Sequence, residues 1–106
     1  MREVVRRLTA ALDPVEIWLF GSRATDTHSP DSDFDLLVVT GDAHGTDYDL
    51  AYAPLKGLGI GCDVIPVGAT EFESERSDPT SVCHRIVNTG RRIYERETGR
   101  VLSPAG

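Results

Sequence analysis

Two aspartates one residue apart, Asp33 and Asp35, stand at the head of "DFDLLVVT", residues 33–40. Side chains alternate across a strand, so both carboxylates fall on one face while Phe34 and Leu36 fall on the other. Two unit negative charges about 4 Å apart repel by about 4 kcal/mol at an effective dielectric near 20, so a partly buried pair requires a counter-charge. A divalent cation supplies one. Carboxylate oxygens are hard ligands, and one or two carboxylates plus substrate phosphates commonly hold Mg²⁺. Asp63, the only acidic residue in "GCDVIPV", completes a cluster if that segment runs as a strand beside 33–40. Upstream, Gly21 and Ser22 directly follow the apolar run "VEIWLF". A turn or helix start there offers free backbone N–H groups and a hydroxyl to a phosphate. Gly21 lets the phosphate approach the backbone without a Cβ in the way, and Arg23 adds a charge-assisted contact.

Each of these residues also has a purely structural reading. "SPDSD" is turn chemistry in its own right, Ser22 is a capable helix cap, and Asp63 is able to serve as an ordinary strand residue. Turn chemistry accounts for Asp31 but leaves Asp35, inside an apolar run, unexplained.

The elements that must hold these residues follow from periodicity. Val4, Val5, Leu8, Ala11 and Leu12 recur at helical spacing, which predicts an amphipathic helix over 2–12 ended by Asp13-Pro14. Val15–Phe20 reads as a strand rich in β-branched and aromatic residues. Residues 33–40 read as a central strand, apolar on both faces in its second half. A helix over roughly 47–57 is compatible with Leu50, Tyr52, Ala53 and Lys56, although Pro54 sits awkwardly within it. A third strand spans about Cys62–Val67, with Pro66 marking its end or an edge position. "EFESERSD" reads as an acidic connection or short helix. Asp78 as N-cap and Pro79 at the first helical position then open a last helix running to about Arg96, with Val82, Cys83, Ile86, Val87, Gly90, Ile93 and Tyr94 along one stripe. Gly90 in that stripe marks close packing on a neighbour.

At 106 residues the chain fits a single domain, expected over 1–98 with a C-terminal tail over 99–106. A composition 40% hydrophobic and 26% charged is that of a folded protein, and a formal charge of -6 argues against broad attraction to nucleic acid or an anionic membrane. The N-terminal segment lacks the apolar run of a signal sequence or membrane span, so a cytoplasmic protein is expected. Cys62 and Cys83 lack metal-finger spacing and read as reduced, partly buried thiols. His28, His44 and His84 are scattered and receive no role, and Trp18, Phe20, Tyr48, Tyr52 and Tyr94 read as core or interface.

The series Gly21-Ser22-Arg23-Ala24, ten intervening residues between Ser22 and Asp33, and "SDFDLLVV" resembles the minimal nucleotidyltransferases of the DNA polymerase beta-like superfamily. The resemblance implies an α+β (α/β) nucleotidyltransferase fold, with a small mixed β-sheet and helices packed mainly on one side. It implies that Gly21 and Ser22, with Arg23, bind the triphosphate, and that Asp33 and Asp35 hold metal with Asp63 completing the site. The activity implied is Mg²⁺-dependent transfer of a nucleoside monophosphate, AMP from ATP, to an acceptor hydroxyl, with two ions roughly 3.5–4 Å apart. Larger relatives add an acceptor-binding domain for which this length leaves no room, so the acceptor is expected on a partner. Small chains of this kind are often antitoxins paired with a HEPN-type toxin, silenced by adenylylation or by binding. Where family members often carry Arg-Gly after the Gly-Ser element, this chain has Thr25-Asp26, which leaves a second reading: a catalytically weak or inactive antitoxin-type binding module.

Overall fold

The computed structural model describes residues 2–21, 34–41, 47–59, 61–96 and 100–101. The amphipathic start forms α1 (Arg2–Leu12). Asp13 follows in the left-handed region at φ 46° and Pro14 prevents continuation, so the chain turns into β1 (Glu16–Phe20). β2 (Phe34–Thr40) pairs antiparallel with β1. β3 (Cys62–Gly68) lies parallel to β2 on its other side. A parallel neighbour demands a return crossover, which is supplied by α2 (Tyr48–Tyr52) and a 3₁₀ turn (Ala53–Leu55). Asp47 caps α2 by accepting the Leu50 N–H at 3.0 Å. Pro54 falls within the first residues of the 3₁₀ turn, where a missing N–H is tolerated, so the expected helix over 47–57 is divided there. Pro66 sits in β3, and the sheet order β3-β2-β1-β4-β5 makes β3 an edge strand among the described residues, the position its missing N–H allows.

The C-terminal third departs from the sequence expectation. The acidic stretch "EFESERSD" begins within a short helix, α3 (Ala69–Glu75), one of its two expected forms. In place of one helix from Asp78 to Arg96, however, the chain forms α4 (Val82–Thr89) and strand β4 (Arg91–Glu95). Ser81, not Asp78, caps α4 by accepting the His84 N–H at 3.1 Å. Asp78 instead accepts from the Thr80 N–H and hydroxyl in the preceding turn. Ile93 and Tyr94 fit the helical stripe but lie in β4, which pairs with the other side of β1 through a register shift at Ile93, so tertiary pairing overrides local period. Gly90 does mark a close approach, at the helix-to-strand corner: an added Cβ would lie 2.7 Å from the carbonyl oxygens of both Ile86 and Leu19. Gly90→Ala is therefore expected to lower stability by about 1–3 kcal/mol in denaturant unfolding, because neither backbone carbonyl can move without disturbing α4 or β1. Within the segment after Arg96, Arg100–Val101 form a two-residue strand, β5, beside β4.

The sheet is mixed and the fold α+β, as expected, but the helices are divided between its two faces. Val4, Val5, Leu8 and Leu12 of α1, with Ala51 and Leu55, bury against Ile17, Leu19, Leu36, Val38, Val64 and Ile93. Phe72 of α3 with Cys83 and Ile86 of α4 bury against Trp18, Leu37, Val39 and Val67. The apolar positions of β1 and β2 fall on both faces, and each face must be covered. Cys62 packs on the α1 side and Cys83 on the α3–α4 side, so the sheet separates the two thiols and no disulfide joins them. Burial pushes the Cys83 thiol up to about 11, and its Sγ, donating to Glu75 Oε2 at 3.6 Å, adds to that shift. A thiol reagent at pH 8 should therefore modify the partly exposed Cys62 at least about 100-fold faster than Cys83, as peptide mapping will read.

Candidate functional site

β2 begins at Phe34 and β3 at Cys62, and their parallel register sets Asp35 opposite Asp63. On the other side of β2, the antiparallel register sets Asp35 opposite Phe20, the residue before Gly21. Three chain segments thus meet at one end of the sheet. Phe34 and Leu36 belong to the α1-side cluster while Leu37 and Val39 belong to the other. Alternation therefore puts Asp35 and Asp63 together on the α3–α4 face. The helices of that face cover Leu37, Val39 and Val67, further along the strands. Asp35 is accordingly only half-buried and Asp63 exposed. Neighbouring strands lie about 4.8 Å apart, so the two carboxylates share one small region of surface.

Gly21 adds the third side. It adopts φ +74°, a conformation side-chain-bearing residues rarely take, and a Cβ built on it would lie 2.3 Å from Asp35 Oδ2. The carboxylate of Asp35 therefore rests against bare backbone at the end of β1. Any residue but glycine would displace it. This contact joins two features that sequence reading connects only through chemistry, the glycine after the first strand and the acidic start of the second.

The sequence-derived set is thus brought together in part. Gly21, Asp35 and Asp63 converge, and β3 pairs with β2 as the role of Asp63 requires. Ser22, Arg23 and Asp33 lie outside the described residues, as do Thr25 and Asp26. Among the described residues no group of three or more His, Cys, Asp or Glu side chains is placed to hold a metal ion. The donors present nonetheless fit a hard divalent cation: two carboxylates in register on one face, open to solvent, beside a backbone free of a Cβ. His84 takes a structural part, its Nδ1 2.9 Å from the Arg76 carbonyl oxygen. Tyr52, read from sequence as core or interface, makes a contact nothing in its spacing announces. Its hydroxyl accepts the backbone N–H of Val64 at 2.8 Å, one residue beyond Asp63.

A mixed sheet that gathers a glycine turn and carboxylates from two strands at one end is the framework of a nucleotidyl-transfer domain. Residues 1–93 match the family model of the nucleotidyltransferase domain, and the chain belongs to that family. Among solved structures, the chain is similar to a candidate nucleotidyltransferase from Sulfolobus solfataricus, with TM-score 0.63 and 23% identity over 96% of this chain and 83% of that one. It is also similar to a chain of a toxin-antitoxin with AMP-PNP, with TM-score 0.64 and 22% identity over 92% of this chain and 74% of that one. At these identities the likeness is one of fold. None of the curated proteins matches. No helix among the described residues is long and apolar enough to cross a membrane.

Proposed function

We propose that the protein transfers a nucleoside monophosphate, AMP from ATP, to an acceptor hydroxyl on a partner toxin of the HEPN type, acting as a cytoplasmic antitoxin. The observation that carries the reading is the meeting of Asp35 and Asp63, in register on adjacent strands, against the Cβ-free backbone of Gly21. Membership of the nucleotidyltransferase domain family supports the reaction class. The likeness to a chain from a toxin-antitoxin with AMP-PNP supports a toxin as partner and an adenine nucleotide, and leaves the toxin's type to the resemblance alone.

Asp35 and Asp63, together with Asp33, are the residues that would hold Mg²⁺, two ions in the full site. Bound there, the cation would supply Lewis-acid stabilisation of the phosphoryl oxygens and of the departing pyrophosphate. The chain's own groups do the rest. The Gly21 turn admits the triphosphate to the backbone, the Ser22 hydroxyl donates to it, and the Arg23 guanidinium pairs with its oxygens. Asp63, the more exposed of the two described carboxylates, lies where an acceptor arrives and takes the proton of its hydroxyl. The acceptor oxygen forms a bond to the α-phosphorus, the bond from that phosphorus to the β-bridging oxygen breaks, and pyrophosphate leaves.

A second reading, that of a binding module neutralising its partner by complex formation alone, is favoured by Thr25-Asp26, which places an acidic residue soon after the Gly-Ser element in the sequence. The two are separated by incubating the purified protein with Mg²⁺, α-labelled ATP and the product of the adjacent gene. Covalent label on the partner is expected. A tight complex that acquires no label would sink the transferase reading and leave the binding module.

A further inference from the structure

Among the described residues Asp63 lies on the edge strand, with a neighbouring strand on one side of its backbone only. The Phe34 N–H donates to the Gly61 carbonyl at 2.9 Å. Odd-numbered backbone groups of this segment therefore face β2, and alternation turns those of Cys62, Val64 and Pro66 outward. Pro66 has no N–H to offer. The Val64 N–H is held by the Tyr52 hydroxyl at 2.8 Å. Tyr52 ends α2, beside the fully buried Ala51. The turn that follows is tied to α1 by Arg7, whose Nη1 donates to the Pro54 carbonyl at 3.3 Å. A well-anchored hydroxyl thus grips, from outside the sheet, the peptide immediately after Asp63.

We propose that Tyr52 is a positioning residue for Asp63. The like charges of Asp35 and Asp63, in register on adjacent strands, push the start of the edge strand away from β2. The Tyr52–Val64 hydrogen bond opposes that displacement and keeps the Asp63 carboxylate opposite Asp35 when no cation is between them. The consequence for metal binding rests on the reading of these two aspartates as ligands. The mechanical coupling of Tyr52 to Asp63 does not.

Tyr52→Phe retains the ring and removes only the hydroxyl, so it tests the proposal directly. In a double-mutant cycle on metal-free protein, the Tm loss caused by Tyr52→Phe should fall to about half or less in an Asp63→Asn background, because the repulsion it resists has gone. A hydrogen bond of merely structural value would produce the same Tm loss in both backgrounds, and that outcome overturns the proposal. In a Mn²⁺ titration, Tyr52→Phe should raise the dissociation constant about five-fold, the equivalent of one net hydrogen bond. Equal Mn²⁺ affinities in wild type and variant also overturn it. A wild type that binds no Mn²⁺ refutes the metal reading instead, and the cycle then decides the role of Tyr52 by itself.

Discussion

Asp35→Asn should abolish Mg²⁺-dependent label transfer, by about 10³-fold or more, while the protein remains folded. Asp35 is the one described carboxylate that touches both halves of the proposed site. It sits in register with Asp63 on one side and with Phe20 on the other, its Oδ2 against Gly21. Asparagine keeps the shape and removes the charge, so the loss falls on the cation and not on packing. The electrostatic stabilisation a divalent cation gives to phosphoryl transfer is worth several kcal/mol, and each 1.36 kcal/mol is tenfold in rate. Asp33→Asn combined with Asp35→Asn should remove metal-dependent nucleotide binding as well. A double variant that transfers label normally would mean the metal assignment is wrong.

Gly21→Ala should lose both stability and activity, for two separable reasons. The residue occupies φ +74°, and a Cβ there would collide with the Asp35 carboxylate at 2.3 Å. Gly57 supplies the control, because it has φ +77° with no atom within 4 Å of an added Cβ. Gly57→Ala is thus expected to cost about 1 kcal/mol of stability from backbone strain alone, with transfer preserved. Gly21→Ala carries the same strain and in addition displaces Asp35, so its transfer rate should fall at least about 100-fold. Equal activities for the two variants would show that the approach of Asp35 to Gly21 has no part in the chemistry.

What the sequence discloses about this fold divides along physical lines. α1 and the first three strands are marked locally, by helical spacing from Val4 to Leu12 and by apolar runs ending at Gly21 or bounded by glycine and proline. Their observed bounds lie close to expectation. The pairing of Asp63 with Asp35 is reachable from sequence only as a condition, that "GCDVIPV" runs as a strand beside 33–40, and the parallel register of β2 and β3 meets it. The C-terminal third was not reachable in the same way. Ile93 and Tyr94 satisfy a helical stripe, and only the available side of β1 decides that they form a strand. The division of helices between both faces is likewise a property of the assembled sheet. So is the bond from Tyr52 to Val64, since residues 52 and 64 meet only because the crossover folds back along the edge.

Calorimetric titration of the protein with ATP, in Mg²⁺ and again in excess EDTA, tests most directly whether the carboxylate end of this sheet is a metal-nucleotide site. Saturable binding in Mg²⁺ that disappears in EDTA, and that Asp35→Asn removes, is the expected result. ATP binding of equal strength with and without the metal, or unchanged in Asp35→Asn, would contradict it.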